Sequence, residues 1–190
     1  MNEAPISRYP IANVDDLPND LRDAIRAIEE KTGFIPNVFL AMGHRPDEMR
    51  AFMAYHDALM ERESGLTKAE REMIVVATSG ANDCLYCVVA HGAIVRIRAK
   101  DSRLSDQLAT NHHKADITER QKVMLDFALK VSLDSASIND EDFMPLRDHG
   151  FSDEDIWDIA GVSAFFAMSN RMANFLSMRP NDEFYSMARG

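Results

Sequence analysis

Asn82-Asp83-Cys84-Leu85-Tyr86-Cys87-Val88-Val89-Ala90-His91-Gly92 holds both cysteines of the chain, three positions apart, with a histidine four positions after the second. In a helix, Cys84 and Cys87 are an i,i+3 pair and Cys87 and His91 an i,i+4 pair, and residues so spaced share one face. Two thiols and an imidazole then form a single stripe. Whether a helix belongs here is decided by the sequence on either side.

Upstream, Thr67-Lys68-Ala69-Glu70 has the pattern of a capping box, in which the Thr side chain caps and the Glu reaches back. This spacing predicts a helix through Glu72, Met73, Val76 and Ala77 to Gly80. Gly80-Ala81-Asn82-Asp83 reads as a break, and Asn82 or Asp83 is expected to cap the cysteine helix. Val88, Ile94, Val95 and Ile97 continue that helix, and Arg96, Arg98, Lys100 and Arg103 collect near its C-terminal end, where cations suit the dipole.

Helical signals recur along the rest of the chain. Residues 1–14 read as an extended arm, because Pro5 and Pro10 oppose a helix. Asp15-Asp16 suits a helix start; Leu17, Leu21, Ile25 and Ile28 follow at helical spacing, and Gly33 is the expected C-cap. Pro36 is placed to begin a short helix through Met42, and Met49 to Met60 marks another. Leu104–Leu108, the run from Thr118 to Val131, and a short helix from Asn139 or Asp140 to Leu146 come next. Ser152-Asp153-Glu154-Asp155 leads a long helix from Ile156 to about Met178, apolar nearly all round, which is expected to sit centrally or at a subunit interface. Leu66 to Met73 and Ile117 to Met124 echo one another, each an apolar residue, a Thr cap and a Glu-Arg pair ahead of a Met. No run of period-two alternation appears. The expected fold is all-α, one domain over residues 1–190 with its core at about 30–180.

The 190 residues are enough to bury a real core, and a composition of 46% hydrophobic and 27% charged residues is ordinary for a globular chain. The net charge of −10 opposes nucleic acid and anionic membranes as partners. Met1 to Ile6 has neither a basic nor an apolar region of a signal peptide, and the most apolar stretch, Ile156–Met168, is shorter than the roughly 20 residues of a membrane span. A cytoplasmic location is expected. There, a close pair of cysteines points to transient, catalytic chemistry rather than a disulfide staple.

The thiolate is the reactive form of cysteine. A helix N-terminus favours it, and His91 is placed to accept the Cys87 proton. Glu72, twelve residues before Cys84, returns alongside His91 if the two helices form an antiparallel hairpin, giving a relay of Glu72, His91 and Cys87. Asp83 works against a thiolate, so charge alone leaves open which sulfur is activated. A partner thiol at i−3 lets a sulfenic acid condense to a disulfide. Cys84, Cys87, His91 and Glu72 also make a four-ligand set for zinc. Structural zinc sites, however, draw their ligands from separated segments, so the redox reading is preferred, with no metal and no cofactor.

Glu72, eleven intervening residues, and Cys84 through Gly92 resemble the core motif of the AhpD-like alkylhydroperoxidases, of the carboxymuconolactone decarboxylase superfamily. Phe34-Ile35-Pro36-Asn37-Val38-Phe39 and Arg45-Pro46 resemble the leading region of its peroxidase-related branch. The likeness spans most of residues 30 to 180 and is strongest from Leu66 to Arg98. It implies an all-helical, oligomeric protein that reduces a hydroperoxide and is reset by an external dithiol, of thioredoxin-like or lipoyl type. It makes Cys87 the peroxidatic thiol, Cys84 the resolving thiol and proton donor, and Glu72 and His91 the relay. Tyr86 stands where the best-known members carry a further histidine. The decarboxylase members lack the cysteine pair, which disfavours decarboxylation. An adaptor that exchanges disulfides for another peroxidase and a non-catalytic redox sensor are the alternative readings.

The remaining singular residues have plainer expectations. His56 is expected at the surface or core edge, and His112-His113 in a solvated loop with a weak tendency to adventitious metal binding. Trp157 is expected to pack. Asn170-Arg171 in an apolar helix suggests an Arg171 salt bridge between helices or subunits. A homo-oligomer is expected from the apolar Ile156–Met178 helix.

Overall fold

The computed structural model describes residues 5–189, among which are ten α-helices and no strand. They are α1 (Asn19–Thr32), α2 (Asn37–Met42), α3 (Pro46–Met60), α4 (Lys68–Ala81), α5 (Leu85–Ala99), α6 (Leu104–Asn111), α7 (Glu119–Leu133), α8 (Met144–Asp148), α9 (Asp153–Leu176) and α10 (Asp182–Ser186). The all-α expectation holds. No helix of the described residues is long and apolar enough to cross a membrane. Of the extended arm, residues 1–4 lie outside the described residues. The rest runs along the molecule, with Arg8 N–H donating to Leu176 O and Ala12 N–H to Leu40 O.

The two echoing segments start alike. Thr67 accepts from Glu70 N–H while the Glu70 side chain accepts from Thr67 N–H, and Thr118 and Gln121 repeat the arrangement at the head of α7. Elsewhere the boundaries move. Asp15 and Asp16 lie in a separate 3₁₀ turn, because Pro18 stands at the N-cap and α1 begins only at Asn19. Gly33, at φ 86°, ends α1 in the left-handed conformation a glycine adopts without strain. Asn139 caps a 3₁₀ turn, Asp140–Phe143, that is distinct from α8. The long helix starts earlier than the apolar run, on a Ser152–Asp155 capping box. It stops at Leu176 because Ser177 turns left-handed, so Met178 lies beyond it.

The central helix is α4, in which every residue from Glu70 to Ser79 is buried. It lies against α5, α6, α7 and α9, and the main core forms around Ile74, Val75 and Val76 with Met124, Leu125, Ile159 and Phe166. Gly80 allows α6 to approach: a Cβ there would lie 2.7 Å from the Ala109 carbonyl oxygen. Arg71, wholly buried, is answered by Asp158 of α9 at 2.7 Å and by the Leu59 carbonyl at 2.8 Å. The apolar α9 is therefore only partly central. One face packs on α4 and α7, while Trp157, Met168 and Phe175 remain exposed. Trp157 is 72% exposed, so it does not pack within the chain as its position suggested. A second apolar cluster gathers Cys84, Tyr86, Cys87 and Ala90 of the cysteine segment with Ala41, Ala173, Leu176 and Phe184.

Candidate redox site

The site begins at the turn from α4 to α5. Asp83 N–H donates to Gly80 O and Cys84 N–H to Ser79 O, at 3.1 and 2.9 Å, and Asp83 takes a left-handed φ of 51°. Aspartate is among the few residues that visit this region readily. The turn places Cys84 itself at the N-cap of α5, correcting the expectation that Asn82 or Asp83 would cap. Asn82 instead spends its side chain on Thr78 O and Ser132 Oγ, joining the turn to α7.

No side-chain oxygen caps α5. Cys84 makes no side-chain capping hydrogen bond, but the nearby Cys87 amide favours its thiolate. Cys84 is held down at about 7, chiefly by the Cys87 side chain donating to it, against an opposing effect of burial; the Cys87 amide, Asn170 and the charge of His91 add smaller pulls. Cys87 is pushed well above the ordinary thiol value, first by that same bond, in which it keeps the proton, and then by burial. Of the two thiols, Cys84 is therefore the first to ionise and Cys87 the one that holds its proton. Both sulfurs are closed to solvent, with Cys84 1% and Cys87 4% exposed.

The antiparallel packing of α4 and α5 brings Glu72 to His91. Its Oε2 lies 2.7 Å from His91 Nδ1, with both side chains largely buried. The His91 ring also stands edge-on to Phe166 of α9, centroids 4.8 Å apart. One nitrogen of the imidazole is thereby committed to Glu72, and the ring is fixed in orientation.

Residues 46–111 match the carboxymuconolactone decarboxylase family. Over 99% of each chain, the protein is similar to an alkylhydroperoxidase AhpD core, an uncharacterized peroxidase-related protein from Ralstonia eutropha JMP134, with 62% identity and a TM-score of 0.97. The chain belongs to the AhpD-like, peroxidase-related proteins. A second uncharacterized peroxidase-related protein, from Silicibacter sp. TM1040, is 42% identical with a TM-score of 0.93, over 100% of this chain and 99% of that one. The debrominase Bmp8 shares the fold at a TM-score of 0.75 and 22% identity, over 99% of this chain and 98% of that one. No functionally curated protein matches the chain.

In this AhpD-like protein two further residues reach the thiols. Asn170 of α9 and Ser79 of α4 are both fully buried; Asn170 Nδ2 donates to Ser79 Oγ at 2.9 Å. Asn170 faces both sulfurs and Ser79 faces Cys87, and each contact favours a thiolate. Asn170 Oδ1 has no partner among the described residues. A buried amide oxygen left unpaired is costly unless the site uses it. A lone Asn in the apolar stretch of α9 is the sequence signal for this residue, but its neighbour Arg171 does not form the expected bridge between helices of the chain. Arg171 is exposed and donates to the Ala167 carbonyl, with no salt bridge among the described residues. Ser79 carries no sequence signal.

Tyr86, between the cysteines, is buried and turned to structure: its hydroxyl accepts from Val38 N–H in the first turn of α2 at 3.1 Å, and burial pushes its pKa up, keeping the phenol neutral. It tethers α2 over the second apolar cluster. Beside the cysteine segment a cleft of about 700 Å³ opens between Leu85, Tyr86, Asn174 and the stretch 177–185, though neither sulfur lines it. Three donor atoms of Cys84, Cys87, His91 and Glu72 do not come within the 4.8 Å of one another that a shared ion needs. His56 stands at the rim of α3, half-buried over Phe165 and Phe166.

Proposed function

We propose that the protein is a thiol peroxidase that reduces hydroperoxides through a Cys84/Cys87 dithiol–disulfide cycle, with Glu72 and His91 relaying protons. The observation that carries this reading is the buried Glu72–His91 pair, 2.7 Å apart, on the same α4–α5 hairpin as the two buried thiols. The proton that Cys87 must lose passes to the Cys84 sulfur. Its transfer leaves a Cys87 thiolate and a Cys84 thiol. The Cys87 sulfur attacks the terminal peroxide oxygen, forming an S–O bond as the O–O bond breaks. The departing alkoxide takes the Cys84 proton and leaves as alcohol. Cys84 sulfur then attacks the Cys87 sulfenic acid, and the hydroxide expelled takes a proton from the Glu72–His91 relay to leave as water. The two protons consumed come one from the thiol pair and one from the relay. An external dithiol returns two electrons and two protons.

Burial of both sulfurs supports a small oxidant over direct exchange with a bulky protein disulfide. It likewise favours a slender reductant, a lipoyl-type arm, over the broad face of a thioredoxin-like protein. The exposed Trp157, Met168 and Phe175 on α9 support a homo-oligomer, since an apolar stripe of this kind is normally covered.

The test is steady-state turnover of an alkyl hydroperoxide with a dithiol in excess, with mass spectrometry of the oxidised chain. The expected results are turnover, a mass loss of two hydrogens localised to Cys84–Cys87, and loss of activity in Cys87→Ser. A single stoichiometric oxidation without turnover would reject the enzyme reading in favour of a sensor.

A further inference from the structure

We propose that His112, His113 and Asp126 bind one divalent transition-metal ion of the borderline class, such as zinc or nickel, at a site separate from the thiols. His112 and His113 sit in the 3₁₀ turn His112–Lys114 that follows α6, and Asp126 lies on α7. Against expectation, His112 is buried, at 8% exposure. Its Nε2 lies 2.7 Å from Asp126 Oδ1, and His113 Nε2 lies 3.4 Å from the same oxygen. The three donor atoms are all within 4.8 Å of one another.

The arrangement is more than a histidine hydrogen-bonded to a carboxylate, for which one imidazole suffices. His113 is 60% exposed and free to turn to solvent, yet its ring lies against His112, centroids 4.0 Å apart, with its nitrogen aimed at the same oxygen. Protonating both rings would set two cations side by side against one carboxylate. A single divalent ion replaces both protons and needs neutral imidazoles. Bonds of about 2.0–2.1 Å in a tetrahedron place donor atoms about 3.3 Å apart. The His113–Asp126 separation already meets that spacing, and the His112–Asp126 separation needs to open by about 0.6 Å. Two imidazoles and a carboxylate suit zinc, nickel or copper(II) rather than magnesium or calcium. The half-exposed Asp126 and His113 leave the remaining coordination position to water. Glu119, close enough for its charge to be felt by His113, adds to the field that favours a cation. The bound ion would pin the turn after α6 to α7, a structural staple with no part in the thiol cycle.

The thiols are themselves zinc ligands, so the test uses the tag-free full chain carrying Cys84→Ser and Cys87→Ser. Zinc chloride and nickel chloride are titrated calorimetrically, at a pH above the imidazole range. One ion per chain is expected, with affinity falling at least about tenfold in Asp126→Ala and in His113→Ala, since even outer-shell partners of metal ligands are worth that much. The zinc-dependent rise in melting temperature should vanish in both variants. His113 is exposed, so its variant stays interpretable if Asp126→Ala impairs folding. Absence of saturable binding, or binding that His113→Ala leaves unchanged, overturns the proposal.

Discussion

Replacing Cys87 with alanine removes the donor that contributes most to holding Cys84 ionised. Burial then pulls the Cys84 pKa up against weaker support from the Cys87 amide, Asn170 and His91, and the thiol is expected to return from about 7 toward its ordinary 9.0. Two pKa units are about a hundredfold in the thiolate-to-thiol ratio. At neutral pH the thiolate share drops from about one half to about one in a hundred. Reactivity falls by less, because a more basic thiolate is the better nucleophile. A Brønsted slope of about 0.4–0.5 restores six- to tenfold, so attack on a small disulfide reagent should slow about five- to tenfold. Cys87→Ser keeps a hydroxyl donor in the same place and should hold Cys84 near its native value. Each variant has Cys84 as its only thiol, so thiolate absorbance against pH and the neutral-pH exchange rate report on one sulfur. If the alanine and serine variants titrate together near 7, the Cys87 side chain is not the controlling donor and the helix start alone must account for the thiolate.

Further consequences are open to measurement. Between about pH 7 and 9 the unfolded chain holds a proton that folded Cys84 has released, so stability should rise with pH over that window and its contribution should be lost as pH falls through 7. Urea midpoints of the native chain against Cys84→Ala would read the difference; Cys87, shifted the other way, opposes it only as pH enters and passes the ordinary thiol range. His91→Ala and Glu72→Gln are each expected to slow closure of the Cys84–Cys87 disulfide from the Cys87 sulfenic acid about 10²-fold, measured by rapid acid quench and mass spectrometry, as loss of a positioned proton donor does. Asp158→Ala strands the buried Arg71 guanidinium and should cost about 3–5 kcal/mol in denaturant unfolding, whereas Arg71→Met with Asp158→Leu should restore much of it. Gly80→Ala drives a Cβ to 2.7 Å from the Ala109 carbonyl, and the forced separation of α4 from α6 should cost about 1–3 kcal/mol despite the better helix former.

Local chemistry written on adjacent residues is legible in the sequence itself. The Thr67–Glu70 and Thr118–Gln121 boxes, the Gly33 stop and the 12-residue spacing of Glu72 from Cys84 each follow from rules acting within a few turns. What stays hidden depends on phase and on long-range approach. Because α9 is apolar nearly all round, its pattern does not say which of Asn170 and Arg171 faces inward; the packing on α4 turns Asn170 to the sulfurs and Arg171 to solvent. The Asn82-Asp83 pair advertises a cap, but the left-handed Asp83 adds a residue to the turn and passes the cap to Cys84. His112 reads as loop because the partner that buries it, Asp126, lies 14 residues on, across a helix start.

Arg96 bears on how the protein can be handled. Its guanidinium, buried in α5, donates to the Phe184 and Met187 carbonyls at 2.7 and 2.8 Å and to Ser105 Oγ at 3.1 Å. The last turn of chain is thus the counterpart that lets a cation sit inside, and Arg189 fastens it again at Asp106. Trimming the chain before residue 184 would leave a buried charge without two of its three acceptors. Proteolysis there should therefore loosen the helix that carries the cysteines, even though the cut falls nearly a hundred residues away in sequence.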